Sequence, residues 1–300
     1  MKKKTLTVFT PAYNRAHTIG RTYESLCRQT CNDFEWLIID DGSMDGTQEL
    51  IEGWIKENKI PIRYIYQENQ GMHGAHNTAY RNIHTELNIC IDSDDYMPDD
   101  AVELIVSLWK EKGTEEFAGI IGLDIDQKGN ILGTKYPDDL CEIPIGGYKR
   151  KGKKADTKQI YRTDIINQYS EYPIFEGEKY VGLGYKYIYI ENNYKMLVLN
   201  QPLVVVEYQQ DGSSVNMYRQ YWKNPKGFAF TRKIDMMYPL SLKRKLITCI
   251  HYVSSSIRSK NMKFIQESPL PIMTICAILP GLLLFILTWW KVITDSKMRM

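Results

Sequence analysis

The sequence has few cysteines, and they form no recognisable motif. Its 300 residues include 6 cysteines, with no CxxC pair and no spacing typical of zinc ligands, which excludes a zinc-binding domain. Several of them lie in apolar segments, so we expect reduced thiols in the protein core, as is usual in the cytosol. The residues are Cys27, Cys31, Cys90, Cys141, Cys249 and Cys276.

Glycine-rich motifs of three common enzyme classes are missing as well. The chain has no GxGxxG turn, no GxxxxGK[ST] loop and no GxSxG elbow, and Gly182-Leu183-Gly184 lacks the third glycine of the first motif. These absences exclude dinucleotide-binding Rossmann domains, P-loop NTPases and α/β-hydrolases. We also expect no export signal, because the apolar run after the lysine-rich start covers only residues 6–9, and such a signal needs about 7–15.

The whole chain carries little net charge, but its two parts differ. With 43% hydrophobic and 25% charged residues and a mean hydropathy of -0.38, it can form a globular core, which excludes general disorder and a polytopic membrane protein. Residues 1–215 have a net charge of -9, and residues 216–300 have one of +11. We therefore expect the tail to contact an anionic surface, phospholipid rather than nucleic acid.

A long uncharged run lies near the end of the chain. Residues 272–290 contain no charge, and a helix of that length reaches about 30 Å, the thickness of a hydrocarbon core. Pro280-Gly281 interrupts the run, and basic residues on both flanks select no orientation. The run predicts a membrane segment that either spans the bilayer once or re-enters on the same side; a buried core helix is the other interpretation.

A basic stretch precedes this run. Apolar residues at spacings of three and four predict a helix with one apolar stripe, which either lies on anionic lipid or packs on the body as an ordinary solvated helix. The stripe consists of Leu242, Leu246, Ile247, Ile250, Val253 and Ile257. We thus divide the chain into a domain of residues 1–215, a basic helical region of residues 216–268, and an apolar segment with a short basic tail in residues 269–300.

The first hundred residues alternate short apolar runs with helical patterns. This predicts a βαβαβαβ unit, an α/β fold with a mostly parallel sheet and helices on both faces. Strands are expected at residues 5–9, 35–39, 62–66, 87–91, 117–123, 196–199 and 203–208, and helices at 18–29, 45–57, 74–83 and 101–109. Residues 124–155 are expected to form an irregular loop that contains the basic residues 149–154.

Polar residues follow the predicted strands, at the edge of a parallel sheet where ligands bind. Asp92, Ser93, Asp94 and Asp95 follow the fourth strand, and carboxylates so close together repel one another unless a cation neutralises them. Mg²⁺ or Mn²⁺ takes one or two protein carboxylates and completes its shell with water and phosphate oxygens. The cluster therefore indicates a metal–diphosphate site; the alternative is an exposed acidic turn that caps the helix after Pro98.

The ends of the first two strands carry groups suited to a nucleotide. Asp41, on a tight turn with Asp40 and Gly42, can accept from a ribose hydroxyl or a base N–H, and the ring of Tyr13 can stack on a base. Taken singly, each aspartate also fits a helix cap, and Tyr13 a half-buried surface ring. Together they predict a nucleotide pocket.

Four segments together resemble the successive motifs of family 2 glycosyltransferases with the GT-A fold. They agree in order, spacing and strand-end position over the first hundred residues, and a weaker resemblance extends to residue 215. It implies an inverting transferase that uses a nucleotide-activated sugar, most often a UDP-sugar, and a divalent cation. The segments are Thr10-Pro11-Ala12-Tyr13-Asn14, residues 40–47, Glu68-Asn69-Gln70-Gly71 to Ala75-His76-Asn77, and Asp92-Ser93-Asp94-Asp95.

The resemblance also implies roles for individual residues. Thr10, Tyr13 and Asp41 would hold the uridine, Asp92 the ribose side, and Asp94 the metal, Mn²⁺ or Mg²⁺. Relatives commonly have Arg in place of His76 and Lys in place of Met72, and either difference removes a positive charge near the nucleotide. The full nucleotide-binding set is Thr10, Pro11, Tyr13, Asp41, Asn69, Gly71, Asn77, Asp92 and Ser93.

Inversion requires a base that takes the proton of the acceptor hydroxyl. In similar proteins an acidic residue of the second half supplies it, and the candidates are Glu178 first, Glu176 second and Glu191 third. For each, a surface glutamate paired with Lys179 or Lys186 is the alternative. Residues 208–214 resemble a segment in which relatives often have an Arg and a His that helps to bind the metal, and neither is present here.

These observations predict a glycosyltransferase with a helical membrane-associating tail at the cytoplasmic face of the cell membrane. It would move a sugar from a UDP-sugar to a hydroxyl of a lipid-linked glycan in cell-surface polysaccharide assembly. Two alternatives stay open. One is a sugar-nucleotide nucleotidyltransferase, although its glycine-rich, arginine-containing loop is missing; the other is a non-catalytic membrane scaffold that keeps the nucleotide pocket.

Overall fold

The structure is a computed structural model that describes residues 3–145, 157–207, 217–238 and 241–297. Of residues 295–297 it describes only the backbone. The chain divides into two compact units. The first consists of residues 1–70, 74–171 and 186–209, and the second of residues 71–73, 172–185 and 210–300. The predicted domain boundary at residue 215 stays a prediction, because residues 208–216 lie outside the described part.

The first unit is built on a mixed sheet of eight strands, as far as the described residues show. The strands are Leu6–Ala12 (β1), Phe34–Asp40 (β2), Ile62–Tyr66 (β3), Leu87–Cys90 (β4), Phe117–Ile125 (β5), Glu142–Ile143 (β6), Thr157–Arg162 (β7) and Lys195–Val205 (β8). Their order is β3-β2-β1-β4-β7-β5-β8-β6. The chain passes outward from β1 through β2 to β3 and then returns to β4 on the other side of β1, so the strand order reverses between β1 and β4.

The helices connect and flank these strands. Those before residue 195 are Ile19–Cys27, Thr47–Glu57, Met72–Asn82, Ala101–Lys112, Thr163–Ile166 and Gly184–Asn193. Those after it are Met217–Lys223, Pro225–Met236, Leu242–Arg258, Pro271–Cys276 and Ile278–Lys297.

Burial explains why the first strands are parallel and central. All seven residues of β1 are buried, and β1 pairs in parallel with both β2 and β4. A strand covered by helices on both faces needs a continuous apolar run rather than an alternating pattern. On one face, the ring of Tyr23 stacks on Trp54 with centroids 4.3 Å apart and lies over Trp36.

The predicted order and type of the first nine elements are confirmed, with most bounds within three residues. The two predicted strands near residue 200 form the single strand β8, whose register against β5 shifts before Pro202. Within the expected loop, residues 142–143 form β6, and the basic residues 149–154 lie outside the described part. The sequence analysis missed β7, because four of its six residues are polar, and it missed the helix Gly184–Asn193.

The second unit has its own core around the helix Leu242–Arg258. Its buried apolar cluster contains Ala229, Met236, Cys249, Tyr252, Val253 and Ala277. The predicted apolar stripe is wrong at its first end, since Leu242, Leu246 and Ile247 are exposed. Packing against the neighbouring helices selects a face that begins at Thr248 instead.

The apolar run of residues 272–290 is divided between two helices, Pro271–Cys276 and Ile278–Lys297. Gly281 allows the second of them to pack closely on the helix Leu242–Arg258, because a Cβ there would lie 2.6 Å from side-chain atoms of Val253. Within the described residues, no helix combines the length and the apolar character needed to cross a membrane.

All six cysteines are free thiols. The expectation of core thiols holds fully for Cys249 alone, since Cys141 and Cys276 are exposed and the other three are half-buried.

Asp40, at the end of β2, generates a prediction about stability. Its buried carboxylate accepts hydrogen bonds from the backbone N of Ser43 at 2.8 Å and from the hydroxyl of Tyr64 at 2.8 Å. Asp40→Ala leaves both donors without this acceptor, so we expect the free energy of unfolding to fall by about 2–4 kcal/mol. Urea denaturation measures the loss.

Asp99→Ala is the matched control, because this carboxylate forms an exposed ion pair with Arg28. Such pairs contribute about 0–1 kcal/mol. Equal losses for the two variants would contradict the structural role of Asp40.

Candidate nucleotide and metal site

The loops after β1 and β2 are tied together by hydrogen bonds. The backbone N of Asp41 donates to the carbonyl of Ala12 at 2.8 Å, and the backbone N of Asn14 donates to the hydroxyl of Ser43 at 2.9 Å. The side chain of Asn14 accepts in return from the backbone N of Met44 at 2.9 Å. Both loops therefore form one rigid edge at the carboxyl ends of the central strands.

The neighbouring aspartates Asp40 and Asp41 have different partners. Whereas Asp40 holds its own turn, Oδ1 of Asp41 accepts from Nε2 of Gln67 at 2.6 Å and from the backbone N of Gln70 at 2.8 Å. Asp41 is thus buried between its turn and the loop that follows β3. Gly42 makes this approach possible: its φ of 87° suits glycine, and a Cβ there would lie 3.0 Å from the backbone N of Asn69.

The predicted uridine-binding residues differ in exposure. Thr10 is fully buried, and its hydroxyl accepts from the indole Nε1 of Trp36 at 2.9 Å, so its side chain is part of the core. Pro11 is buried as well. Tyr13 is 46% exposed and presents its ring to solvent, as a stacking role requires.

The carboxylates after β4 are crowded. Burial raises the pKa of Asp95 to about 8, against the opposing charge of Lys158. The neighbouring carboxylates Asp92, Asp94 and Asp124 raise it further. Burial acts to lower the pKa of Lys158, but these acidic groups outweigh it and raise that pKa. The ammonium group of Lys158 therefore lies among several carboxylates at this strand end.

Asp95 also has a structural role. Its Oδ1 accepts from the backbone N of Glu207 at 3.1 Å, and its carbonyl accepts from the hydroxyl of Thr22 at 2.7 Å. Asp92 and Asp94 are half-buried, and Ser93 between them is buried.

This donor set suits a hard divalent cation shared with a substrate. Among the described residues, no three His, Cys, Asp or Glu side chains converge on a point that could hold a metal ion. Mg²⁺ and Mn²⁺ need only one or two protein carboxylates when phosphate oxygens complete the shell. Asp92 and Asp94, one residue apart, provide carboxylates of this kind.

His76, where relatives commonly have Arg, is buried in the core. Its Nδ1 lies 3.2 Å from the hydroxyl of Tyr80, its Nε2 lies 3.6 Å from the sulfur of Cys90, and its ring packs edge-on against Phe9. This imidazole is therefore a packed structural group, and it does not replace the missing positive charge. Asn77, the next residue, is 3% exposed.

Gly71 and His73 belong to the second unit, next to Lys179. Gly71 has a φ of 83°, and a Cβ there would clash with the carbonyl of Lys179. His73 is 1% exposed, and neither of its ring nitrogens has a hydrogen-bond partner in the described part of the chain. Burial lowers the pKa of His73 to about 4, helped by the charge of Lys179, so the imidazole is neutral at pH 7.

The two glutamates proposed as the base differ sharply. Glu178 is buried, and its two carboxylate oxygens accept from the backbone N of Lys226 at 3.0 Å and of Gly227 at 2.9 Å. These donors lie in the first turn of the helix Pro225–Met236, so Glu178 caps that helix. Glu176 is exposed. The third candidate, Glu191, is half-buried beside Tyr194 and Ile143 in the first unit.

Sequence reasoning missed two charged groups of this site, Lys158 and Asp124. Asp124 follows a run of apolar residues in β5, and the predicted loop of residues 124–155 includes it. A carboxylate at the end of a strand, the pattern that indicates a site at Asp41 and Asp92, could have revealed it. Lys158 lies on β7, which pairs with β4 and β5 only through a long-range antiparallel contact. No local pattern could place it there.

The architecture is that of an α/β protein whose strand order reverses between β1 and β4, the place where open parallel sheets bind their ligands. Comparison with known proteins identifies the family. Residues 7–166, more than half of the chain, match the family described as "Glycosyl transferase family 2". The chain belongs to this family.

A chondroitin synthase from Escherichia coli is similar in sequence. It is 34% identical over 131 residues, which are 44% of this chain and 19% of that protein. The chain spans less than half the length of the curated relatives it matches.

Two solved structures show the GT-A fold of this chain. S. aureus TarS in complex with UDP-GlcNAc has 17% identity and a TM-score of 0.60, with 91% of this chain and 79% of TarS covered. The mannosyltransferase PcManGT from Pyrobaculum calidifontis, in complex with GDP-Man and Mn²⁺, has 14% identity and a TM-score of 0.54, with 95% and 88% covered. At this identity the likeness concerns the fold alone.

The cap formed by Glu178 leads to a prediction. Glu178→Ala removes the acceptor of two backbone N–H groups, and we expect the free energy of unfolding to fall by about 1–2 kcal/mol. Glu178→Gln keeps one carbonyl oxygen and should lose less. Urea denaturation of both variants provides the measurement.

Glu176→Ala serves as the control, since an exposed substitution changes stability by no more than about 0.5 kcal/mol. If Glu176→Ala costs as much as Glu178→Ala, the capping role is wrong.

Proposed function

We propose that this glycosyltransferase moves a sugar, with inversion, from a UDP-sugar to a hydroxyl of a glycan acceptor, most simply a lipid-linked one in polysaccharide assembly. The observation that carries the proposal is the crowded group of carboxylates after β4, where burial and the neighbouring acidic groups raise the pKa of Asp95. The donor in the TarS complex and the polymer made by the chondroitin synthase support the choice of substrate class.

The rigid edge formed by the first two loops would hold the nucleoside. Tyr13, whose ring is exposed, would stack on the base. The carboxylate of Asp41, which Gln67 and Gln70 hold in place, would accept a hydrogen bond from the uridine. Thr10 would contribute through the backbone of β1, since its side chain is turned into the core. Asp92 would accept from the ribose.

Asp94, with Asp92 beside it, would hold Mn²⁺ or Mg²⁺. When bound, such an ion neutralises the negative charge that develops on the departing diphosphate. Mn²⁺ in the mannosyltransferase complex supports this cofactor. Water and the phosphate oxygens of the donor would complete the shell of the ion.

Glu176 is the better choice of base in this proposal. Taking up a proton at Glu178 would remove an acceptor from the first turn of a helix, whereas Glu176 is exposed and can change its charge without loss of a buried contact. Glu178 would then position the segment that carries Glu176.

Asp94→Asn tests the metal assignment. We expect Mn²⁺-dependent hydrolysis and transfer from UDP-GlcNAc, UDP-Glc, UDP-Gal and UDP-GalNAc to fall by at least about a hundredfold, because one ligand to the charge-neutralising ion is lost. Release of UDP under saturating metal is the measurement.

Asp99→Asn, a change at an exposed carboxylate of the same unit, is the control and should leave turnover unchanged. Unchanged turnover in Asp94→Asn overturns the metal assignment. UDP binding by the unmodified chain with no turnover of any donor would instead favour the non-catalytic scaffold.

We further propose that the second unit attaches the enzyme to the cytoplasmic face of an anionic membrane. The helix Ile278–Lys297 buries Gly281 and Thr288 and leaves many large apolar side chains exposed. Large exposed apolar patches mark interaction sites. The large apolar residues that are exposed on the two last helices are Ile272, Ile275, Leu279, Leu282, Leu283, Ile286, Leu287, Trp289, Trp290 and Ile293.

Charge favours lipid as the occupant of this patch. The tail has a net charge of +11, and Lys243 and Arg244 are exposed in the first turn of the helix Leu242–Arg258. Each basic residue near an anionic surface contributes about 1 kcal/mol. Apolar side chains that enter the headgroup region and basic ones beside them are typical of helices that lie in the interface.

Sedimentation with phosphatidylglycerol–phosphatidylcholine vesicles tests this attachment. We expect the chain to sediment with these vesicles, less with pure phosphatidylcholine, and less in Leu283→Glu because a charge then enters the headgroup region. Ile55→Glu, at an exposed apolar position of the first unit, is the control. A chain that stays in the supernatant with anionic vesicles contradicts the proposal.

A further inference from the structure

A cavity of about 380 Å³ opens beside the helix Met72–Asn82, within the first unit. Its wall combines aromatic rings, amides and charged groups, and ligand sites typically pair apolar or aromatic walls with a few polar groups that fix the orientation of the ligand. Rings present a flat apolar face, and an amide can both donate and accept, which suits a sugar ring with its hydroxyls. The residues used in this argument are Asn77, Tyr80, Arg81, Tyr169, Glu171 and Lys186.

Lys186 is the buried cation of this cavity. The residue is 2% exposed, its Nζ lies 4.9 Å from the ring centroid of Tyr80, and it donates to the carbonyl of Ile166 at 3.4 Å. Burial lowers the pKa of Lys186 to about 8, and the carboxylate of Glu171 opposes this shift. The ammonium group is therefore charged at pH 7 but poorly solvated, and an anion beside it would be favourable.

Arg81 lies at the rim with an exchangeable partner. Its Nη1 donates to both oxygens of Glu171 at 3.1 and 3.0 Å, and both side chains are 53% exposed. Exposed pairs of this kind contribute about 0–1 kcal/mol, so a ligand can compete for the guanidinium. With two cations against one carboxylate, the cavity favours a negatively charged ligand.

We propose that this cavity binds a sugar residue of the acceptor that carries an oxyanion, either a carboxylate or a phosphate, with Lys186 at the base and Arg81 at the rim. That this ligand is the acceptor rests on the proposed function. A second groove of about 820 Å³ shares Ile83 and His84 with the cavity, so an oligosaccharide can extend beyond one sugar. Asn77, which lines the cavity, also belongs to the predicted nucleotide-binding set.

Titration calorimetry with three oligosaccharides tests the proposal on the full chain. The probes are a hyaluronan hexasaccharide, which carries carboxylates, a glycerol phosphate oligomer, which carries phosphates, and neutral chitohexaose. We expect one of the anionic probes to bind at least about tenfold more tightly than chitohexaose. The probe that does so identifies the oxyanion.

Lys186→Met keeps the volume of the side chain and removes its charge, and we expect it to abolish the preference for the anionic probe. Lys195→Met is the matched control, because Lys195 forms surface ion pairs with Glu116 and Glu142, and these residues do not line the cavity. Glu171→Gln removes the carboxylate that competes for Arg81. It should tighten anion binding by about two- to fivefold, an increase that a folding defect does not produce.

Equal affinity for all three probes, or an unchanged preference in Lys186→Met, overturns the proposal. Should Lys186→Met fail to fold, unchanged or weaker anion binding in Glu171→Gln overturns it instead. Hydrolysis of UDP-sugars by the unmodified chain separates the two proposals. Anion-selective binding without hydrolysis supports the cavity and contradicts the proposed function, whereas hydrolysis without anion selectivity does the reverse.

Discussion

Repulsion between carboxylates at the end of β4 is the constraint on which the candidate site depends. Burial and the neighbouring acidic groups raise the pKa of Asp95 to about 8, and Lys158 opposes this shift. Burying like charges close together costs free energy that a fold does not need for stability alone. These carboxylates lie at the carboxyl end of β4, where the strand order reverses and where open parallel sheets bind their ligands.

The other candidate residues fall into two groups, those that form hydrogen bonds within the protein and those that are exposed. Asp40, Asp95 and Glu178 use their carboxylates on backbone and side-chain donors of the protein itself. Tyr13 and Glu176 are exposed. A carboxylate whose oxygens already accept hydrogen bonds from the protein stabilises the fold, whereas an exposed side chain can contact a ligand.

Some of this could be predicted from local pattern, and some could not. The central parallel strands are largely apolar runs, so their existence and their order along the chain followed from the sequence, and with them the positions of Asp41 and Asp94 after the carboxyl ends of strands. The helix after residue 241 was predicted as well, but its buried face was not, because Cys249 and Tyr252 face inward only once the neighbouring helices pack against them. The burial of His76 against Phe9 likewise depends on a contact across 67 residues of sequence.

The sequence by itself determined the class of protein, since alternation of strands and helices and short polar motifs at strand ends are local properties. Only the tertiary structure decided which carboxylates are engaged, placed Lys158 among them, and enclosed Lys186 in a cavity with Arg81 and Glu171. Burial and pairing of charges depend on residues far apart in the chain, and their free energies are set by the surroundings of each group rather than by its identity.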